Sequence, residues 1–599
     1  MAVALYGVAV GGGIAVGRAH IIKQGMKDAP RYEVPDNEIA AEVERYENAI
    51  RTTRRQLEQL RNNIPENAPT ELGAFISLHI MLLNDATISR DPIDIIENKK
   101  INAEWALSQQ IEILSAQFDS IADDYLHARK QDMLQVVERV FKNLMGIDTN
   151  DFVPEQEDLF EDTVLIAADL SPADTVFFKD NRIAAFVTDF GGASSHTAIL
   201  GRGLNMPSII SMRHACDLIA ENEVVIVDGI DGVLILQPDE FLLKEYRRRA
   251  REFRSRQREL NKLKDTAATT EDGVPIEILA NIAAADNMAE VAKNAADGVG
   301  LYRSEFLFLN RDVAPTEEEQ YREYTKIIKK AAGKSVTIRS MDLGADKNPR
   351  WFEQTHGLNP AMGLVGVRLS LAEPQMFRTQ MRAILRAALH GEVQIMWPMI
   401  SSLTEVRQCL VHLQMAKDQL KDSGIEFNPN VAVGVMIETP AAALMVGSIL
   451  KLVDFVSIGS NDLVQYTLAV DRANKDVAAL YQPAHPAVLK LMLYVLRTAN
   501  RMEKPVSICG EMAGDPMFPR LLLGMGFRHF SMQPSKMLAF KEIVLSCNVE
   551  QLENKIVPLL KNDDPAKMPE LLEKLNKFQA GYTQVSSATL GGEIRVRLV

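Results

Sequence analysis

A chain of 599 residues exceeds a single domain, and two to four are expected. Its apolar fraction of 47% with 6% aromatics suits a soluble globular protein, and its formal charge of −14 argues against nucleic acid as the main partner while leaving room for a basic protein. The four cysteines, Cys216, Cys409, Cys509 and Cys547, have neither paired nor CxxC spacing, so they suggest no zinc site and no disulfide framework.

The opening "MAVALYGVAVGGGIAVGRAH" has no basic start and is broken by five glycines up to Gly17, which points to strands and turns rather than a signal peptide. No run approaches the ~18 apolar residues of a membrane span, and a cytoplasmic protein is expected. From Asp36 to about Met145 the periodicity is helical, led by "EIAAEVERYENAIRTTRRQLEQLRNNI", and reads as a bundle. Short β runs follow from Thr163: "TVLIAAD", "RIAAFVTD", "VVIVDG" and "GVLILQP". They describe a small α/β domain to which the glycine-rich opening adds strands, so the bundle is an insertion. "FLLKEYRRRAREFRSRQRELNKLKD" (Phe241–Asp265), with ten Lys or Arg, reads as a solvated connecting helix and a hinge.

The second half alternates strands and helices. "IEILANI", "GVGLYR", "VTIRSMD", "QIMWPM", "AVGVMIE", "FVSIGS", "PVSICGE" and "HFSMQ" are eight candidate strands, the number that closes a (β/α)8 barrel. The predicted organisation is therefore a multidomain α/β chain: residues 1–35 and 146–236 an α/β domain, 36–145 a helical insertion, 237–268 a connecting helix and 269–599 the barrel.

A barrel places its chemistry at the C-terminal ends of its strands. There lie Arg303, Arg339 with Asp342, Glu438, Asn461 with Asp462, and Cys509 with Glu511, while Arg472 follows Asp462 closely enough to fold back over the same mouth. Arginines bind phosphate and carboxylate through forked, charge-assisted hydrogen bonds. Two carboxylates with little nitrogen or sulfur nearby suit Mg2+ better than zinc. The pattern points to a small phosphorylated acid held through a metal. Cys509 reads as core packing or as an acid–base group.

"GGASSHTAILGRGLNMP" (Gly191–Pro207) sets His196 in the first turn of an expected helix, after small residues and beside Ser194 and Ser195. A helix N-terminus favours an anion, and a neutral imidazole is a competent nucleophile toward phosphorus. No His, Cys or acid stands at i+3 or i+4 to share a metal. That leaves phosphoryl acceptance and helix packing as the alternatives.

In nearly its whole length the sequence resembles Enzyme I of the bacterial phosphotransferase system, the phosphoenolpyruvate–protein phosphotransferases. "GGASSHTAILGR", "DFVSIGSNDLVQYTLAVDR", "GVGLYRSEFLF", "VGVMIETPAAA" and "CGEMAGD" carry the likeness. The resemblance implies a swivelling phosphohistidine domain and a barrel that forms a homodimer. It implies that His196 takes the phosphoryl group of phosphoenolpyruvate and passes it to the histidine phosphocarrier protein HPr, docked on the helical insertion. It assigns Arg303, Arg339, Asn461 and Arg472 to phosphoenolpyruvate, Glu438 and Asp462 to Mg2+, and Cys509 to protonation of the enolate carbon. Thr175, within "SPADT", and Lys347 take supporting roles. Whether the final acceptor is a sugar transporter or a regulatory protein is left open.

The sequence departs from that family's pattern at four places. "NPAMGLVGVR" has Val365 where an active-site arginine is expected, Asp132 is followed by "MLQ" where a DVRD-like run is expected, Gly201 replaces an alanine, and "SIISMRHA" replaces a glycine-bearing run. Val365 supports an alternative, a regulatory phosphoprotein that binds phosphoenolpyruvate or HPr with little turnover. A dikinase-like enzyme is a third possibility, although nothing in the chain supplies its ATP-binding domain.

Overall fold

The computed structural model describes residues 2–22, 29–62, 70–119, 124–146, 163–170, 183–191, 206–309, 311, 313–343, 359–472, 474 and 476–578. His196, Thr175, Lys347 and Gly201 lie outside them. Two compact units divide the chain, one running to Gln257 and the other from Arg258 to Ala588.

The first unit is organised on an eight-stranded mixed sheet: β1 (Val3–Tyr6), β2 (Val8–Gly11), β3 (Ile14–Ile21), β4 (Thr163–Ala167), β5 (Ile183–Thr188), β6 (Ser208–Ile210), β7 (Val224–Asp228) and β8 (Val233–Leu236). The spatial order is β1-β8-β7-β3-β4-β5-β6-β2. Gly7 separates β1 from β2, yet the two lie at opposite edges; β1 pairs Val3 with Leu236 of β8, and β2 pairs Val8 with Ile210 of β6. The central strands β3, β4, β5 and β6 run parallel. β4 is buried along its whole length, as the unbroken apolar run "TVLIA" requires of a strand covered on both faces.

The helices leave the sheet after β3 and return before β4. Ile39–Asn62, Thr70–Leu83, Ala103–Asp119 and Asp124–Leu144 are the longest of them. They enclose a core of their own around Tyr46, Leu57, Ile96, Leu107, Val137 and Phe141. Arg45 clasps Glu42 (2.7 Å) and Glu104 (2.5 Å) and donates to the Leu144 carbonyl (3.0 Å), tying three segments together.

The basic segment forms one helix, Glu240–Lys262. Its cations pair along the helix, Arg248 with Glu245 at 2.7 Å and with Glu252 one turn on. From Arg251 to Glu259 no residue is buried.

All eight strands expected in the second half form, and they close a parallel barrel: β9 (Glu277–Ile282), β10 (Gly298–Arg303), β11 (Val336–Arg339), β12 (Val393–Trp397), β13 (Ala432–Ile437), β14 (Phe455–Gly459), β15 (Val506–Cys509) and β16 (His529–Met532), with β16 returning to β9. The outer helices pack on strands that read as continuous apolar runs. Two start with a capping box, Thr316 with Glu319 and Ser402 with Glu405. No helix among the described residues is long and apolar enough to cross a membrane.

Candidate active site

Arg303 and Arg339 are the last residues of neighbouring strands β10 and β11, paired in register. Arg339 is only 7% exposed, and a charge so placed needs partners. Its Nη2 donates to Glu305 Oε1 at 2.7 Å and its Nη1 meets Asp342 Oδ2 at 2.7 Å. Burial works against its charge, but Asp342 and Glu305 outweigh burial and hold the guanidinium firmly protonated. No hydrogen bond or ion pair holds the Arg303 guanidinium among the described residues, and it faces a cleft of about 190 Å³ at the mouth. Asn281, Asn461, Arg472, Glu511 and Lys536 share that cleft.

Glu438 follows β13 directly and is 1% exposed. Its Oε1 accepts from the Met399 amide at 2.5 Å, whereas its Oε2 is buried with no hydrogen-bond partner among the described residues. Burial pushes its pKa well above the carboxylate range, the negative charges of Asp342 and Asp462 push further, and Arg339 opposes them. Met399 aims its N–H at Glu438 from a left-handed backbone (φ 54°), an uncommon state for a residue with a long side chain.

Asn461 and Asp462 lie in the first turn of the helix Ser460–Leu468, which starts where β14 ends. Asn461 Oδ1 accepts from the Glu511 amide at 2.8 Å, and its carbonyl accepts from the Tyr481 hydroxyl at 3.2 Å. Between these strand exits Gly510 has φ +89°, and a Cβ there would stand 2.2 Å from Ser460 Oγ and 2.9 Å from Asn461 Oδ1. Only glycine lets β15 leave the barrel so close to Asn461.

Cys509 ends β15, 2% exposed. Burial pushes its thiol up to about 11, and the Glu438 carboxylate adds to the shift. It joins Leu301, Met396, Met436 and Phe455 in an apolar, sulfur-rich floor beneath the mouth. The thiol thus keeps its proton at neutral pH at a place closed to bulk water.

The structure gathers Arg303, Asn461 and Arg472 around one cleft and sets Arg339, Glu438, Asp462 and Cys509 at the same ends of the strands. The donor set suits a hard divalent cation: carboxylate oxygens, one of them buried and unpartnered, with no histidine among them. Sequence reasoning did not single out Glu305, Asn281 or Lys536. Glu305 stands two residues after Arg303, where ordinary strands also turn polar, and only the fold shows it reaching Arg339.

Val365 is buried at 4% exposure. The chain then turns through Gly366 at φ +54°, where a Cβ would lie 2.8 Å from Met399 Cβ and 3.0 Å from Asp342 Oδ1. Arg368 folds back on the segment before this turn. It donates to the Met362 carbonyl at 3.3 Å and to Ser401 Oγ at 3.4 Å. In the helical insertion, the altered run after Asp132 has a defined contact: Gln135 donates to Asp169 Oδ2 at 2.9 Å.

Three family models match the chain in order: the N-terminal domain of PEP-utilising enzymes over residues 6–129, their mobile domain over 159–232 and their PEP-binding domain over 257–549. A phosphoenolpyruvate-protein phosphotransferase of Cupriavidus necator is 43% identical over 585 residues, covering 96% of this chain and 100% of that protein. One from Listeria monocytogenes is 36% identical over 574 residues, covering 96% and 99%. A solution structure titled as an Enzyme I protein is 28% identical with a TM-score of 0.34, covering 42% of this chain and 99% of that one.

Proposed function

The chain belongs to the phosphoenolpyruvate–protein phosphotransferase family, and from that premise we propose that it transfers the phosphoryl group of phosphoenolpyruvate to His196 and then to a histidine phosphocarrier protein, HPr. The observation that carries this reading is the mouth of the barrel, where Arg303, unpaired among the described residues, faces a cleft next to clamped Arg339 and a Glu438 oxygen that has no partner among them.

Arg303, Arg472 and Asn461 bind the phosphate and carboxylate of the substrate, while Arg339, fixed by two carboxylates, supplies a positive charge that does not have to reorganise. The His196 imidazole attacks phosphorus. A nitrogen–phosphorus bond forms, the bond from phosphorus to the bridging oxygen breaks, and its electron pair stays on the departing enolate. The Cys509 thiol gives its proton to the enolate carbon, yielding pyruvate, and the thiolate takes a proton back from water that enters as pyruvate leaves. Glu438 and Asp462 would hold Mg2+, which when bound neutralises charge on the phosphoryl oxygens. The barrel is the dimerisation unit and the helical insertion the carrier dock. The helix Glu240–Lys262 acts as the hinge that lets the histidine serve two sites.

Intact mass after incubation with phosphoenolpyruvate and Mg2+ tests the reading. A single acid-labile phosphoryl adduct is expected on the native chain and none on His196→Ala. An unmodified native chain would overturn it.

A further inference from the structure

Behind the two strand-end arginines lies a chain of hydrogen bonds with no access to solvent. Gln380, on the helix Pro374–Ala387, is 1% exposed, and Ser304, Gln320 and Tyr324 are 0% exposed. Gln380 Oε1 accepts from the Met341 amide at 2.9 Å, and its Nε2 donates to Ser304 Oγ at 2.9 Å and to the Tyr324 hydroxyl at 3.1 Å. Ser304 Oγ donates to the Arg339 carbonyl at 2.6 Å. On the far side, Tyr324 donates to Gln320 Oε1 at 3.1 Å, and Gln320 donates to the Pro315 carbonyl at 3.0 Å.

Chemistry fixes the direction of every link. The Met341 N–H can only donate and the Arg339 carbonyl can only accept, so the amide oxygen of Gln380 must face Met341 and its nitrogen the two hydroxyls. One side chain therefore ties the Met341 amide, just after Arg339, to the hydroxyl of Ser304, just after Arg303, and that hydroxyl in turn holds the Arg339 carbonyl. Ser304 separates Arg303 from Glu305, and Met341 precedes Asp342; Glu305 and Asp342 are the two carboxylates that clamp the Arg339 guanidinium.

We propose that Gln380 is a positioning residue for phosphoenolpyruvate, acting through Ser304 and Met341 to set the separation and aim of Arg303 and Arg339. This rests on the reading above that those arginines hold the substrate. Gln380 does not line the cleft, and its effect passes through the Met341 N–H and the Ser304 hydroxyl, just beyond the ends of β11 and β10. A buried network of this kind is coupled, so removing any one link on the arginine side releases the whole register.

The test is pyruvate release with phosphoenolpyruvate varied, in the full chain with HPr as acceptor, for Gln380→Met, Ser304→Ala and the double variant. The KM for phosphoenolpyruvate is expected to rise roughly tenfold in each single variant with kcat changed less than about threefold, and the double variant should be no worse than the worse single. Tyr324→Phe removes a bond on the side away from the arginines and should leave that KM within about twofold. Lowered Tm with an unchanged KM in Gln380→Met or Ser304→Ala would make the network merely structural and overturn the proposal. Should Gln380→Met not fold, Ser304→Ala, which deletes a single hydroxyl, decides alone. Absent pyruvate release from the native chain would instead overturn the phosphotransfer reading, and this proposal with it.

Discussion

Cys509 shows how far single residues could be read in advance. A cysteine at a strand end was visible in "SICGE", but its two readings, packing and acid–base work, were indistinguishable there. The fold reconciles them, since the burial that makes it a core residue also raises its thiol from 9.0 to about 11. The folded state keeps this proton over a pH range in which the unfolded chain loses it. Native stability from this group is therefore present below pH 9 and falls as pH rises toward 11, by roughly 3 kcal/mol across that interval. Denaturant titrations of the native chain and Cys509→Ala at pH 8 and pH 11 should show that difference growing against the native chain. Parallel pH dependence would mean that the thiol is not held protonated. Arg339 and Glu438 were legible as residue types at strand ends. Glu305 was not, because an ion pair between adjacent strand exits depends on register, which no local pattern encodes.

At the scale of elements, the eight barrel strands were legible because each is a short, largely apolar run, six of them ending in a polar residue. What the sequence does not display is how tightly neighbouring exits meet. Gly510 could be any turn glycine, yet it alone keeps the exit of β15 clear of Ser460 and Asn461. Gly510→Ala is expected to cost about 1–3 kcal/mol of stability and to weaken phosphoenolpyruvate binding by displacing Asn461. Chemical denaturation and a phosphoenolpyruvate titration check the two effects together, and a variant with native stability and affinity would contradict the geometry. Val365 and Gly366 make a similar pair. The missing arginine was evident from the motif, but the turn that goes with it, closed to any residue bearing a Cβ, becomes visible only beside Met399 and Asp342.

At the scale of the whole molecule, the two compact units meet in sequence at Gln257 and Arg258, inside a helix whose stretch from Arg251 to Glu259 has no buried residue. Brief trypsin treatment is expected to cut first after Arg254, Arg256 or Arg258, since exposed segments with few packing contacts open most readily. The C-terminal fragment should keep a phosphoenolpyruvate-induced rise in Tm yet gain no phosphoryl group, because His196 lies on the other piece. An adduct on that fragment would move the acceptor into the barrel. The change from helical to β texture near Thr163 was plain in the sequence, whereas the order of strands in the first sheet was not. Alternation tells a strand's faces but not its neighbours, and β1 finds its partner more than two hundred residues away.

That edge pairing governs how the protein is made. On the ribosome β1 emerges first and waits, unpaired, until β8 has been translated, while the helices between β3 and β4 can bury their own core long before then. Synthesis thus delivers a folded helical module with sticky strands at its root, and the strand that completes the sheet is the last of that sheet to arrive. A pause in translation before Val233 would lengthen the interval in which those early strands are open to a wrong partner.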